Sequence, residues 1–362
     1  MNPLVTVAVP TRNRVASLEK SLASILAQDY APIEVIISDN ASTDGTEDLC
    51  RAVEASDPRV RYIRHGQNIG LHGNHNFCMG AGTGEFLCIF HDHDERAPTI
   101  ISTYVKFLLA HADVGLVCSD WELIDESGRR LGIRDHQVAA VTAGFDFIER
   151  TMRSGRSSIG IPGAMIRRSA LGAIRFVDEA PVGFGDFPVW FEVAERWNIG
   201  HVHERLWGWA QSSDSQSART ITSMSRDYHE NLTAYCDAHL ARWPNHADMV
   251  ARWRADITRF LFWALAYEAS LYFKPRRLTP SVAARAAAEE GAGALTLFEL
   301  LGYQLKPEEF QQALGQMRRY RTGVLQHVAY ACITTLIRLH CTWPLAWGVR
   351  HQARLRNVLG LG

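Results

Sequence analysis

The sequence predicts an α/β fold followed by a mainly helical C-terminal region, and three observations lead there. Short β-branched runs alternate with helical patterns through the first half of the chain. Polar residues gather just past those runs. Beyond the Ser-rich break "QSSDSQSART" at 211–220, the pattern turns helical.

The expected strands are "VTVAV" (Val5 to Val9), "EVIIS" (Glu34 to Ser38), "VRYIR" (Val60 to Arg64), "FLCIF" (Phe86 to Phe90) and "GLVCS" (Gly115 to Ser119). Between the first two, Leu18, Leu22, Ile25 and Leu26 recur at helical spacing. After the second, Thr43 or Asp44 is placed to cap a helix whose first turn holds Glu47 and Asp48, the charge sign its dipole favours. From Ser119 to about Asp214 the pattern loosens into loops and short elements rich in glycine and aromatics. Helical patterns then cover Tyr228 to Ala241, Asp248 to Phe273 and Ala283 to Gln316. The organisation expected is a catalytic core over 1–215, a helical appendage over 216–317 and a basic amphipathic tail over 318–362.

Composition bounds the function. With 362 residues, 47% hydrophobic and 21% charged, the chain can bury a full core. A net charge of -1 argues against nucleic acid as a partner. The average hides an asymmetry: residues 310–362 carry seven Arg and no Lys, Asp or Glu, so that segment is +7 and the first 309 residues are -8. The seven cysteines form no C-x-x-C and no framework spacing, which predicts a reduced compartment. "MNPLVTVAVPTRNR" lacks a basic leader and a long apolar core, and "VLQHVAYACITTLI" stops at Arg338, short of the roughly 18 to 20 residues a spanning helix needs. A cytoplasmic protein is expected.

Chemistry concentrates at the strand tips. "FLCIFHDHDERA" runs from an apolar strand into Asp92, Asp94 and Glu95. Neighbouring carboxylates repel, and burying them unpaired costs several kcal/mol, so this tip needs a compensating cation. Hard oxygen ligands suit Mg or Mn. A solvated acidic turn is the plain reading of an isolated D-x-D; here Thr11, Arg12, Asn13, Asp39 and Asn40 collect at the other tips, where open α/β sheets bind ligands. Strand alternation puts His93 on a different side from Asp92 and Asp94. His72 and His75, beside Gly70 and Gly73, could approach phosphates or simply occupy a surface loop. His201 and His203 in "HVH" match a zinc pair in composition, but with no third ligand in view they read as strand histidines. Trp190, Trp197, Trp207 and Trp209 could stack on sugar, although core packing accounts for at least half of them.

Taken in order, "VAVPTRNR", "IEVIISDNASTDGT", "NIGLHGNHNFCMGAGTGEF" and "CIFHDHDE" resemble the family 2 inverting glycosyltransferases. Their pattern is P-T-aromatic-N-R after a strand, then D-D/N-x-S-x-D-G-T, N-x-G, A-x-G-E and D-x-D. The resemblance spans roughly 4–215 and extends to "LVCSDWELIDESGRRL" and "GFGDFPVWFEVAERWNIGHVHERLWGW". It implies the A-type nucleotide-sugar fold, a Rossmann-like mixed sheet with flanking helices. It also implies that Thr11 and Arg12 line the base and ribose pocket, with Pro10, Asn13 and Asn68 among the donor-binding positions. By the same resemblance Asp39 accepts the imide N–H of a uracil-like base, Asp92 faces ribose and metal, Asp94 is the firmest metal ligand and Asp186 takes the acceptor proton. This chain differs from the pattern at Arg12, where an aromatic is common, at Gly185, where an acid usually precedes the base, and at Ala210 and Gln211, where Arg and His are common.

The expectation is a metal-dependent (Mn or Mg) inverting glycosyltransferase. It would move a sugar from a nucleotide diphosphate donor, UDP-type favoured, to a hydroxyl on a glycan, glycolipid, lipid-linked acceptor or small molecule. The alternative is a non-catalytic relative that binds sugar nucleotide or glycan as an interaction module; Gly185, Ala210 and Gln211 favour it and the intact D-x-D opposes it. A nucleotidyltransferase and a dinucleotide-dependent oxidoreductase each lack their Gly-rich loop here. In the tail, Arg318, Arg319, Arg321, Arg338, Arg350, Arg354 and Arg356 interleave with apolar residues, which suits an anionic membrane surface on the cytoplasmic face. Packing on the acidic core, or a dimer contact, is the other reading of that tail.

Overall fold

The computed structural model describes residues 2–125, 128–154, 157–177, 185–210 and 224–271. Two compact units result, one of residues 1–149 with 157–212, the other of 150–156 with 213–362. In the first unit β1 (Val5–Thr11), β2 (Ile33–Asp39), β3 (Val60–Arg64) and β4 (Phe86–Ile89) alternate with α1 (Val15–Leu26), α2 (Thr46–Ser56) and α3 (Leu71–Gly80). The short β5 (Glu95–Arg96) and α4 (Ile100–Ala110) follow, then β6 (Val114–Ile124), β7 (Arg130–Arg134), β8 (Val141–Thr142) and α5 (Gly144–Ser154), whose residues from 150 on belong to the second unit. Completing the unit are β9 (Ala164–Arg167), α6 (Arg168–Leu171), α7 (Phe187–Ala194) and β10 (Asn198–Ala210).

The strands form one mixed sheet in the order β3-β2-β1-β4-β9-β6-β10-β5, with β7 on β6 and β8 on β10. β1 pairs in parallel with β2 and β4, while β9 runs antiparallel to both β4 and β6. Strands covered on both faces should be apolar without alternation, and every residue of β1 is buried. Leu18, Leu22 and Ile25 are the buried stripe of α1, as their spacing predicts. The chain winds outward from β1 to β3 and then returns to the other side of β1 with β4. That reversal makes the carboxyl ends of β1 and β4 the switch point of the sheet, the place where such sheets take ligands.

Three expectations are corrected. The tips Pro10, Thr11 and Asp39 belong to the strands themselves, paired as Pro10 with Ser38 and Thr11 with Asp39. The residue that flanks α2 at its start is Gly45; Asp44, one position earlier, takes the Thr46 N–H at 3.0 Å and also the Val15 N–H of α1 at 3.2 Å. The stretch after Ser119 is not mainly loop: β6 continues to Ile124, and β7 to β10 complete the sheet. β9 is only four residues long and β10 is irregular, with register shifts on either side of Arg205, so neither shows a clean period in sequence.

The second unit holds α8 (Met224–Arg242) and α9 (Ala247–Leu271). Tyr228, Leu232, Tyr235 and Cys236 on α8 are buried with Val250, Trp253, Ile257 and Leu261 on α9. The expected helix over 283–316 and the basic tail over 318–362 lie outside the described residues. Among the described residues no helix is long and apolar enough to cross a membrane, and cysteines 50, 78, 88, 118 and 236 are free thiols.

Candidate active site

At the switch point Thr11, the last residue of β1, donates its hydroxyl to Asp92 Oδ2 at 2.7 Å. Asp92 Oδ1 lies 2.9 Å from His93 Nδ1 and 4.0 Å from Arg14 Nε. Arg12 is exposed on the following loop. Asp92 is therefore steered from three sides.

Asp94 is fully buried. Its Oδ1 accepts the Ala210 backbone N–H at 2.9 Å, while Oδ2 has no hydrogen-bond donor among the described residues. His91 Nδ1 stands 3.9 Å from Oδ2, and His93 Nε2 stands 3.8 Å from Oδ1. Burial holds the Asp94 carboxyl above its ordinary range, against the pull of His93 and Arg96. A buried carboxylate oxygen without a donor is costly, and a cation beside it removes the cost. His91, His93 and Asp94 each offer a ligand atom, all within 4.8 Å of one another. Burial keeps His91 well below its ordinary range and so neutral, with a lone pair to give. The residues fit a divalent cation held by carboxylate oxygen and imidazole nitrogen.

His93 is a correction to strand alternation. β4 stops at Ile89 and Asp92–His93 form a turn, so the period of two no longer applies and the ring sits between both carboxylates. Beneath the turn Arg96 is buried; its Nη1 donates to the Asp94 carbonyl and to Ser21 Oγ, and its guanidinium lies 4.5 Å from the Phe90 ring centre. His72 and His75 also differ from the surface-loop reading. Both are buried on α3, where His72 Nδ1 lies 2.9 Å from the Val177 carbonyl and His75 Nε2 lies 3.4 Å from His91 Nε2.

On the β2 side the expected base-reading Asp39 is fully buried, and protein donors already hold both oxygens. Ser42 N–H binds Oδ1 at 2.9 Å and the Tyr62 hydroxyl binds Oδ2 at 2.6 Å. Asn40, beside it, organises Asn68: its Nδ2 donates to Asn68 Oδ1 at 2.8 Å, and its Oδ1 accepts the Ile69 N–H. Asn13, at φ 53°, accepts the Thr43 N–H at 2.7 Å, which ties the β1 and β2 loops together. Asn40 stood in the strand-tip pattern, but its hold on Asn68 did not show there, and Tyr62 carried no motif signal, because both roles depend on which loops meet.

Asp186 is the residue that precedes α7, but its side chain makes no capping bond. It accepts the Trp190 indole N–H at 3.0 Å instead. Burial raises its carboxyl to about 6, against that hydrogen bond. Trp190 and Trp207 are buried, in line with a packing role for half of the four tryptophans.

Comparison with known proteins gives this geometry a context. The glycosyl transferase family 2 model matches residues 6–175, a little under half of the chain. The chain is 34% identical over 105 residues to GalNAc(5)-diNAcBac-PP-undecaprenol beta-1,3-glucosyltransferase of Campylobacter jejuni, across 29% of this chain and 34% of that one. It is 32% identical over 130 residues to putative glycosyltransferase EpsE of Bacillus subtilis, across 35% of this chain and 46% of that one. The chain thus spans between about a third and a half of the length of these relatives. Among solved structures, the Pyrobaculum calidifontis mannosyltransferase PcManGT in complex with GDP-Man and Mn2+ aligns with TM-score 0.51 and 19% identity, over 95% of this chain and 88% of that one. S. aureus TarS 1-349 in complex with UDP-GlcNAc aligns with TM-score 0.56 and 14% identity, over 97% and 91%. The fold is that of the A-type glycosyltransferases, and the matched segment carries the family 2 pattern.

Proposed function

We propose that this chain transfers a sugar from a nucleotide diphosphate donor, UDP-linked by preference, to a hydroxyl acceptor, with a divalent cation and with inversion at the anomeric carbon. The observation that carries the reading is Asp94 Oδ2, a buried carboxylate oxygen without a donor beside Asp92 at the switch point of the sheet. A cation bound there would neutralise the diphosphate as it leaves. Thr11, His93 and Arg14 hold Asp92 in place to orient the donor. Asp186, raised to about 6, is ionised at neutral pH yet basic enough to accept the acceptor proton. The new bond forms between the acceptor oxygen and the anomeric carbon, the bond to the diphosphate oxygen breaks, and the proton passes to Asp186. A single displacement from the opposite face inverts the centre.

The imidazoles of His91 and His93 favour Mn over Mg as the cation, because Mg takes nitrogen ligands poorly. The Mn2+ in the Pyrobaculum mannosyltransferase complex supports that choice, and UDP-GlcNAc in the TarS complex supports the donor class. "PP-undecaprenol" in the name of the Campylobacter relative supports a glycan or lipid-linked acceptor. The test is incubation with a panel of nucleotide sugars and Mn2+, following donor hydrolysis. Turnover of one donor, lost on chelation, is expected. Binding of a sugar nucleotide without turnover, with acceptors supplied, would leave the non-catalytic relative; no binding at all would end both readings.

A further inference from the structure

Away from the strand tips, imidazoles converge on a single carboxylate. Asp120 lies on β6 and is 4% exposed; His201 lies on the adjoining β10 and is 2% exposed. His201 Nε2 is 2.9 Å from Asp120 Oδ1. His136, two residues beyond β7, brings its Nδ1 to 3.2 Å from the same oxygen, and its backbone N–H to 2.7 Å. His203 Nδ1 stands 3.7 Å from Oδ2 on the exposed side. Pairing of β10 with β6 shifts register between Val202 and Arg205, and this bulge leaves His203 beside His201 with ring centres 4.9 Å apart.

Hydrogen bonding alone accounts poorly for this arrangement. A carboxylate oxygen has two lone pairs, yet three nitrogens crowd Oδ1 while Oδ2 faces only the more distant His203. A tetrahedral ion with ligand bonds of about 2.1 Å spaces neighbouring ligand atoms about 3.4 Å apart. The 3.2 Å separation lies close to that spacing, and the 2.9 Å one would open by about 0.5 Å around an ion. The ligand atoms of Asp120, His136 and His201 all fall within 4.8 Å of one another. The far nitrogen of His201, Nδ1, is 3.3 Å from Cys118 Sγ, a contact that fixes the ring as outer partners of metal-bound histidines do.

We infer that Asp120, His136 and His201 form a second divalent-metal site, suited to a zinc-type ion, with the fourth position open to water or to His203. Two imidazole nitrogens and one carboxylate oxygen favour such an ion over Mg or Ca. The ion would pin the segment that follows β7 onto β6 and β10, a structural role separate from sugar transfer.

Co2+ is the probe, because its tetrahedral complexes have distinctive visible absorption. Metal-free full-length Asp94→Asn protein, in which the strand-tip site is disabled, is titrated with Co2+ and analysed for bound metal. Uptake of one ion per chain with tetrahedral bands, displaced by Zn2+, is expected. Adding His136→Gln should abolish the bands and weaken binding at least tenfold. In parallel, Zn2+ should raise the unfolding midpoint of the Asp94→Asn protein, a reading that holds even if the double variant folds poorly. Absence of uptake by the Asp94→Asn protein, unchanged bands in the double variant, or an unfolding midpoint indifferent to Zn2+ would each overturn the site. Loss of donor turnover in the Asp94→Asn protein bears on the catalytic reading alone.

Discussion

Asp186 and Asp94 are carboxylates shifted in the same direction by burial, and they differ in what compensates them. Asp186 has the Trp190 indole, so its charge is tolerated but costly. With the folded carboxyl at about 6 and an ordinary value of 3.8, the folded state binds the proton more tightly than the unfolded chain does. Its contribution to stability is therefore full below about 4 and is lost as pH rises through about 6. Asp186→Asn should remove this dependence, raise stability at pH 8 by about 1–3 kcal/mol and still accept the indole bond. The same variant should keep donor affinity while kcat falls by roughly 10²–10⁴, and wild-type kcat should rise with pH through about 6. Urea unfolding at pH 5 and pH 8, with a pH–rate profile, reads both; a near-native kcat would remove the base assignment. Asp94 awaits a cation instead of a donor. Asp94→Asn should leave the protein folded and reduce nucleotide affinity in Mn2+ to the level seen with chelator, as measured by calorimetry. Residue types made both carboxylates legible as candidates, but His93 was misplaced because its contacts belong to a turn and not to a strand, and Arg96 went unread because Ser21, its partner, lies 75 positions away.

Among the elements, the α/β order through β4 was readable because buried parallel strands are continuous apolar runs and α1 shows its stripe at helical spacing. β9 and β10 were not, since short or bulged strands take their conformation from partners far along the chain. "GTGE" illustrates an element-level constraint. Gly82 has φ 72°, and Gly84 donates its N–H to Thr6 Oγ1 at 2.9 Å. A Cβ on Gly84 would lie 2.5 Å from the Thr6 backbone nitrogen, where β1 cannot move without disturbing β2 and β4. Gly84→Ala should therefore destabilise the first unit by about 1–3 kcal/mol, visible as a lower urea midpoint at unchanged slope. A variant within 0.5 kcal/mol of wild type would show that the loop relaxes.

For the whole molecule, charge asymmetry motivates a prediction about location. Residues 310–362 are +7 and the rest of the chain is -8. Peripheral attachment of that tail to an anionic membrane surface is proposed, and full-length protein should bind anionic vesicles at low salt, release as salt rises, and fail to bind when 318–362 is deleted. Indifference to vesicles at low salt would return the tail to the fold.

By itself the sequence determined the alternation of strands and helices, the switch-point strand tips and the D-x-D. These are local properties: periodicity, turn chemistry and residue type need no knowledge of distant partners. Only the tertiary structure decided which groups meet. Asp39 faces Tyr62, Asp94 keeps an oxygen without a donor, and Asp120 gathers His136 and His201 from 16 and 81 positions away. Side-chain meetings depend on strand order and register, and His201 of "HVH" met Asp120 only because β6 lies beside β10.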